Sequence, residues 1–226
     1  MIRGGVNFVH IDIMDGHYVP NIFFPLSIVQ AVRKRYPNLT IDVHLMVTNP
    51  EDYVDRMRED GADYLSFHID STRFSRRLID SIQQSGMKAG VVINPSQPIS
   101  LLEPLVRFVD YVVLMTVEPG FCRTTFLCMT PLERLDELQK LKKETDAHFM
   151  ISIDGGIDRE HSAECMKRGA EILVSGIYTV SVSRRIGKGL CQLPERDGDD
   201  SEGGWIYRHG RHMLMRERKH IVKLLC

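Results

Sequence analysis

Residues 9–20 read VHIDIMDGHYVP. Val9, Ile11 and Ile13 alternate with His10, Asp12 and Met14. Successive side chains of a strand point to opposite faces. One face of this strand therefore carries only branched aliphatics. The other carries an imidazole, a carboxylate and a thioether. Such a strand suits a sheet with one face packed by apolar neighbours and the other lining a reactive site.

The surrounding sequence has the same grain. Short β-branched runs at residues 6–13, 40–46, 63–68, 88–93, 110–116, 149–154 and 171–176 read as strands. Helical patterns lie between them: PLSIVQAVRKRY, PEDYVDRMREDG, SRRLIDSIQQSG, LERLDELQKLKKET and REHSAECMKRG. Several open with Pro or Ser and close with Gly, which are helix boundary signals. EDGADYLSF and KRGAEILVS repeat one device, a helix, a glycine stop, a two-residue link and a strand; QSGMKAGVV is a variant. Repeated αβ units with near-continuous apolar strands imply a parallel sheet. The spacing suits either a (β/α)8 barrel lacking one unit or a doubly wound sheet. Polar residues favour the barrel. His10, Asp12, His44, His68, Met115, Asp154 and Ser175 lie on or just after strands, and in a barrel those ends converge on one mouth. No GxGxxG or GxxxxGK[ST] follows any strand, so the nucleotide fingerprints are absent.

Composition narrows the function classes. The 226 residues are 43% hydrophobic and 26% charged, with a formal net charge of −1. No global field favours nucleic acid or a membrane surface. There is neither an apolar run of spanning length nor a signal-peptide core, so the expected location is cytoplasmic. The five cysteines include no CxxC pair, which argues against a disulfide framework. The regular pattern stops after Thr179, and no clear period returns before the last dozen residues. A barrel domain is expected over residues 1–180, followed by an atypical tail, disordered or frame-shifted, over 181–226. The ten Lys/Arg against six Asp/Glu from Ser181 onward read as a solvated tail rather than a nucleic-acid arm.

The chemistry-bearing residues come from three strand ends. HID puts His10 and Asp12 on one face, and DVHLM does the same for Asp42, His44 and Met46. ISIDGG ends a strand in Asp154 followed by two glycines. Two imidazoles and two carboxylates, His10, Asp12, His44 and Asp154, would then converge on one divalent metal. Mixed N/O ligation suits Zn²⁺, Fe²⁺, Mn²⁺ or Co²⁺ better than Ca²⁺ or Mg²⁺. Asp42 either orients His44 from behind or faces solvent at a strand start. Gly155 and Gly156 follow one strand and Gly176 another; backbone N–H groups of such loops, with that of Ile177, form a phosphate site in barrels. EPGF, Glu118 to Phe121, reads as a third loop over the mouth, bringing Gly120 and Phe121 to the substrate.

HIDIMDGHYVPN, DVHLMV, LMTVEPGF and IDGGI resemble the signatures of the ribulose-phosphate 3-epimerase family, which includes the allulose-6-phosphate 3-epimerases. The resemblance runs from about Gly5 to Gly176. It implies a (β/α)8 TIM barrel holding one divalent metal ion on His10, Asp12, His44 and Asp154. It implies Asp12 and Asp154 as the acid–base pair, and Met14, Met46 and Met115 as the wall around the reacting carbon. The implied substrate is a ketose phosphate, either ribulose 5-phosphate or allulose 6-phosphate. Neither nucleic acid nor membrane is implied as a partner, and a homo-oligomer is left open. The reaction fits these residue types. One aspartate removes the proton beside the ketone, the metal stabilises the enediolate as a Lewis acid, and the other aspartate returns a proton to the opposite face.

Three departures accompany the resemblance. The chain begins within what is the first helix of the family, so the first strand and most of that helix are expected to be lacking. The two strands flanking the gap then expose unpaired edges unless another segment or chain fills it. Cys122, Arg123 and Thr124 stand where the family has a small residue, Gly and Gln. The Cys, Trp and Arg enrichment of the tail suggests an altered reading frame. These departures motivate a competing expectation, an impaired relative that at most binds sugar phosphate.

Overall fold

The structure is a computed structural model, and it describes residues 7–120, 130–157, 159–175 and 220–224. Eight parallel strands run in one sheet: β1 (Phe8–Asp15), β3 (Thr40–Met46), β4 (Tyr64–His68), β5 (Lys88–Ile93), β6 (Tyr111–Met115), β7 (Met150–Asp154), β8 (Ile172–Ser175) and β9 (His220–Leu224). A two-residue strand, β2 (Ile22–Phe23), pairs antiparallel with the end of β1. The helices are α1 (Ser27–Arg35), α2 (Val54–Asp60), α3 (Ser75–Gln84), α4 (Thr130–Glu144) and α5 (Arg159–Lys167). All seven expected strands are present, and β1 runs on to include Met14 and Asp15.

The expected open edges are not left open. β9 pairs in parallel with β8, Leu173 opposite Ile221, and with β1, Val9 opposite Lys223. The ring β1-β3-β4-β5-β6-β7-β8-β9 thereby closes, with every strand of it hydrogen-bonded on both sides. The closing strand comes from the segment beyond residue 180. Its sequence, HIVKL, lies in the last dozen residues, where the tail regains a period, but it carries none of the helix-link signals that mark the other strands.

Alternation sorts the side chains as the opening stretch predicts. Val9, Ile11 and Ile13 join Ile41, Val43, Leu45, Leu65, Phe67, Val91, Ile93, Val112, Leu114, Ile151 and Ile153 in one cluster, shared with the inward faces of α1, α2 and α3. Separate apolar groups of opposite strand parity, such as Phe8 with Ile172, and Val92 with Tyr111 and Val113, fill the barrel interior. The repeated link is built by left-handed glycines. Gly61 (φ 91°) ends α2 with Ala62 N–H on the Met57 carbonyl, and Gly169 (φ 91°) follows α5 with Ala170 N–H on the Cys165 carbonyl. Each link returns the chain to the bottom of the next strand, so every strand top faces the same end.

A candidate metal centre at the barrel mouth

The register of β1 against β3 builds the site. His10 lies opposite Asp42, Asp12 opposite His44, and Met14 opposite Met46. β6 and β7 add a further rung, Met115 opposite Asp154. His10 and His44 are fully buried, and Asp12 and Asp154 nearly so. One donor atom from each of His10, Asp12, His44 and Asp154 falls within 4.8 Å of the others, so the four expected ligands are brought together.

The inner contacts are His10 Nε2 to Asp12 Oδ1 at 3.3 Å and to Asp154 Oδ2 at 3.8 Å, and His44 Nδ1 to the same oxygens at 3.1 and 3.6 Å. Donors bound tetrahedrally at about 2.1 Å lie about 3.4 Å apart, so these spacings bracket what one cation needs. His10 Nε2 is buried and has no hydrogen-bond partner among the described residues. An orphaned ring nitrogen facing two carboxylates is what a ligand lone pair looks like before it is used. The donor set therefore fits a divalent cation. Hard carboxylate and borderline imidazole together suit the first-row metals and zinc.

Electrostatics agree. Burial alone would raise the Asp12 pKa, but the imidazoles of His10 and His44 beside it hold it well below the usual carboxylate range, so Asp12 is ionised. Burial would lower His10 and His44. Asp42 and Asp12 raise His10 instead, and Asp12 with Asp154 raises His44.

Asp42 serves neither expected role. Because position 42 pairs with position 10, its Oδ2 meets His10 Nδ1 at 2.6 Å rather than reaching His44. It is buried, and its Oδ1 accepts from the Tyr111 hydroxyl at 2.7 Å. The Tyr111 ring has room only because position 90 is glycine; a Cβ there would sit 2.3 Å from Tyr111 Cζ. Neither Tyr111 nor Gly90 bears a motif, and only the folded register reveals them. Thr116 was missed too: its N–H and hydroxyl reach the Asp154 carbonyl at 2.8 and 2.9 Å and hold the end of β7.

Met14 and Met46 pack together with Val19, while Met115 lies in the interior cluster with Val92 and Val113. The loops meet above them: Asn21 Nδ2 donates to the Gly120 carbonyl, and a Cβ on Gly120 would strike Val19. Gly155 and Gly156 both have positive φ, 117° and 60°, and follow Asp154 directly. Phe121, Gly176 and Ile177 lie outside the described residues, as do Cys122 to Thr124 and most of the tail. No helix among the described residues is long and apolar enough to cross a membrane.

Comparison with known proteins follows the same lines. The profile described as the Ribulose-phosphate 3 epimerase family matches residues 1–180. The ribulose-phosphate 3-epimerase of Aquifex aeolicus is 41% identical over 179 residues, covering 78% of this chain and 80% of that protein. That of Bacillus subtilis is 39% identical over 184 residues, covering 81% and 84%. Among solved structures, a mutant tryptophan synthase alpha-subunit from Pyrococcus furiosus superposes with a TM-score of 0.59 at 13% identity, covering 82% of this chain and 96% of that one. That likeness concerns the barrel fold alone.

Proposed function

Because this chain belongs to the ribulose-phosphate 3-epimerase family of carbohydrate isomerases, we propose that it interconverts ribulose 5-phosphate and xylulose 5-phosphate by two-aspartate proton transfer at C3. The observation that carries the reading is the convergence of His10, Asp12, His44 and Asp154 at one buried point. These four residues would hold one divalent cation, Zn²⁺, Fe²⁺, Mn²⁺ or Co²⁺. When bound, it would supply Lewis-acid stabilisation of the negative charge that develops on the substrate oxygens.

The remaining work falls to side chains. Asp12, ionised by its two histidine neighbours, takes the C3 proton from one face. Asp154, on β7 and separated from β1 in the ring by β8 and β9, gives a proton to the other face. The carbon inverts, and the two carboxyl groups exchange protonation states. Two bases on different walls are needed, since a single one tends to return the proton to the face it left. Met14, Met46 and Met115 offer a soft wall without hydrogen bonds to compete for the intermediate. The backbone at Gly155 and Gly156, with Gly176 and Ile177, holds the phosphate, so binding energy is used to orient C3.

The test is turnover of ribulose 5-phosphate, with allulose 6-phosphate as the competing substrate, by purified full chain before and after chelation and with each metal restored. Metal-dependent turnover favouring the pentulose supports the proposal. Preference for the hexulose reassigns the substrate. A folded chain, by circular dichroism, with no turnover of either points instead to the impaired relative.

A further inference from the structure

His44 uses Nδ1 toward the carboxylates, and its other nitrogen does not face solvent. Nε2 lies 2.9 Å from Nε2 of His68, a buried histidine on β4 that the proton transfer does not use. The two ring planes are inclined to each other by 29°, with centroids 4.9 Å apart. At that distance one nitrogen carries the proton and the other does not. Nδ1 of His68 and Oδ1 of Asn94 are both buried and have no hydrogen-bond partner among the described residues, and the Asn94 side chain is the polar neighbour that acts on His68, so a complementary ring nitrogen and carbonyl oxygen are left over together. Asn94 Nδ2 then donates to the Tyr18 hydroxyl at 2.9 Å, and the Tyr18 hydroxyl donates to Asp70 Oδ1 at 2.8 Å. The Asn94 backbone is held on both sides, its N–H on Gln97 Oε1 at 3.0 Å and its carbonyl on the Arg134 guanidinium at 3.0 Å.

Read from the far end, the chain has one polarity. Asp70 as a carboxylate only accepts, so Tyr18 donates to it and accepts from Asn94 Nδ2. That leaves Asn94 Oδ1 as the acceptor available to His68, and closing this last link places the His68 proton on Nδ1. His68 Nε2 is left as an acceptor, which places the His44 proton on Nε2 and leaves the His44 Nδ1 lone pair facing the carboxylates. We propose that His68, Asn94, Tyr18 and Asp70 form a one-way hydrogen-bond chain that fixes the tautomer of His44, making them positioning residues for its role as an Nδ1 metal ligand. The inference rests on the metal reading above, and polar groups behind a ligating histidine serve this purpose generally.

Two measurements on the full chain test it. Nitrogen-15 NMR of the imidazoles in the Zn²⁺-bound protein is expected to show His44 protonated at Nε2 and His68 at Nδ1. Zn²⁺ affinity by chelator competition is expected to fall about 10–100-fold in His68→Phe, which keeps a ring but offers no acceptor. Asn94→Leu is expected to weaken Zn²⁺ in the same direction, whereas Asn94→Asp keeps an acceptor for His68 and stays within a few-fold of the parent. The proposal is overturned if His68 carries its proton on Nε2, or if Asn94→Asp is as damaging as Asn94→Leu. Failure of the parent chain to bind Zn²⁺, Mn²⁺ or Co²⁺ at all would instead sink the metal reading, which separates the two.

Discussion

Asp42→Asn is nearly isosteric, yet it breaks a constraint that only a carboxylate meets. Asp42 is 1% exposed and accepts twice, from His10 Nδ1–H at 2.6 Å and from the Tyr111 hydroxyl at 2.7 Å. An amide has one acceptor and one donor group. If its oxygen faces His10, its NH₂ meets the Tyr111 hydroxyl, which must turn its own proton into the packed interior. If its oxygen faces Tyr111, its NH₂ meets His10 Nδ1 and drives the proton onto Nε2, the atom that faces Asp12 and Asp154. Either way the support behind His10 is degraded. Loss of such a partner costs about 10–100-fold in metal affinity, or about 1.4–2.7 kcal/mol. The assay is Zn²⁺ competition against a chelator at neutral pH, with Tyr111→Phe as companion. Tyr111→Phe leaves the His10–Asp42 bond intact and one buried oxygen unsatisfied, so it should lower stability by about 1–3 kcal/mol while moving Zn²⁺ affinity much less. Asp42→Asn binding Zn²⁺ as tightly as the parent, or Tyr111→Phe weakening it equally, would refute the reasoning.

Three further outcomes are expected. Gly90→Ala forces a methyl to 2.3 Å from the Tyr111 ring, so it should cost about 1–3 kcal/mol in urea unfolding; an unchanged midpoint would mean the ring is not wedged there. Asp15 accepts N–H bonds from His17, Tyr18 and Thr48, which outweigh burial and pull its pKa down to about 2, against about 3.9 in an unfolded chain. A depressed carboxylate stabilises above the unfolded value and loses that effect as pH falls from about 4 toward 2, so the parent should lose more stability over this window than Asp15→Asn; parallel acid limbs would contradict it. A chain ending at residue 219 lacks β9 and leaves one edge each of β1 and β8 unpaired, so light scattering should show association and Tm should drop; an unchanged Tm in a monodisperse sample would remove β9 from the barrel.

The sequence was most informative where one period governs one face. Val9, Ile11 and Ile13 could only pack outward, and His10, Asp12 and Met14 then had to face inward, whatever the rest of the chain did. The glycine links were readable because a left-handed residue after a helix has few alternatives. What stayed hidden depends on register between strands distant in sequence. Asp42 reads as a partner for its own neighbour His44, but pairing places it beside His10, thirty-two positions away. The His68–Asn94–Tyr18–Asp70 chain draws on two strand tops and the loop after β1, with no spacing to announce it. β9 was illegible because HIVKL lacks the clean alternation and helix-link signals of the other strands.

The central claim concerns one proton at C3. The direct measurement incubates ribulose 5-phosphate with the metal-loaded full chain in deuterated water and follows C3 by proton NMR. The account predicts xylulose 5-phosphate carrying deuterium at C3 and nowhere else, with both conversion and exchange lost in a folded Asp12→Asn variant. Conversion without deuterium at C3, or exchange that persists in Asp12→Asn, would contradict it.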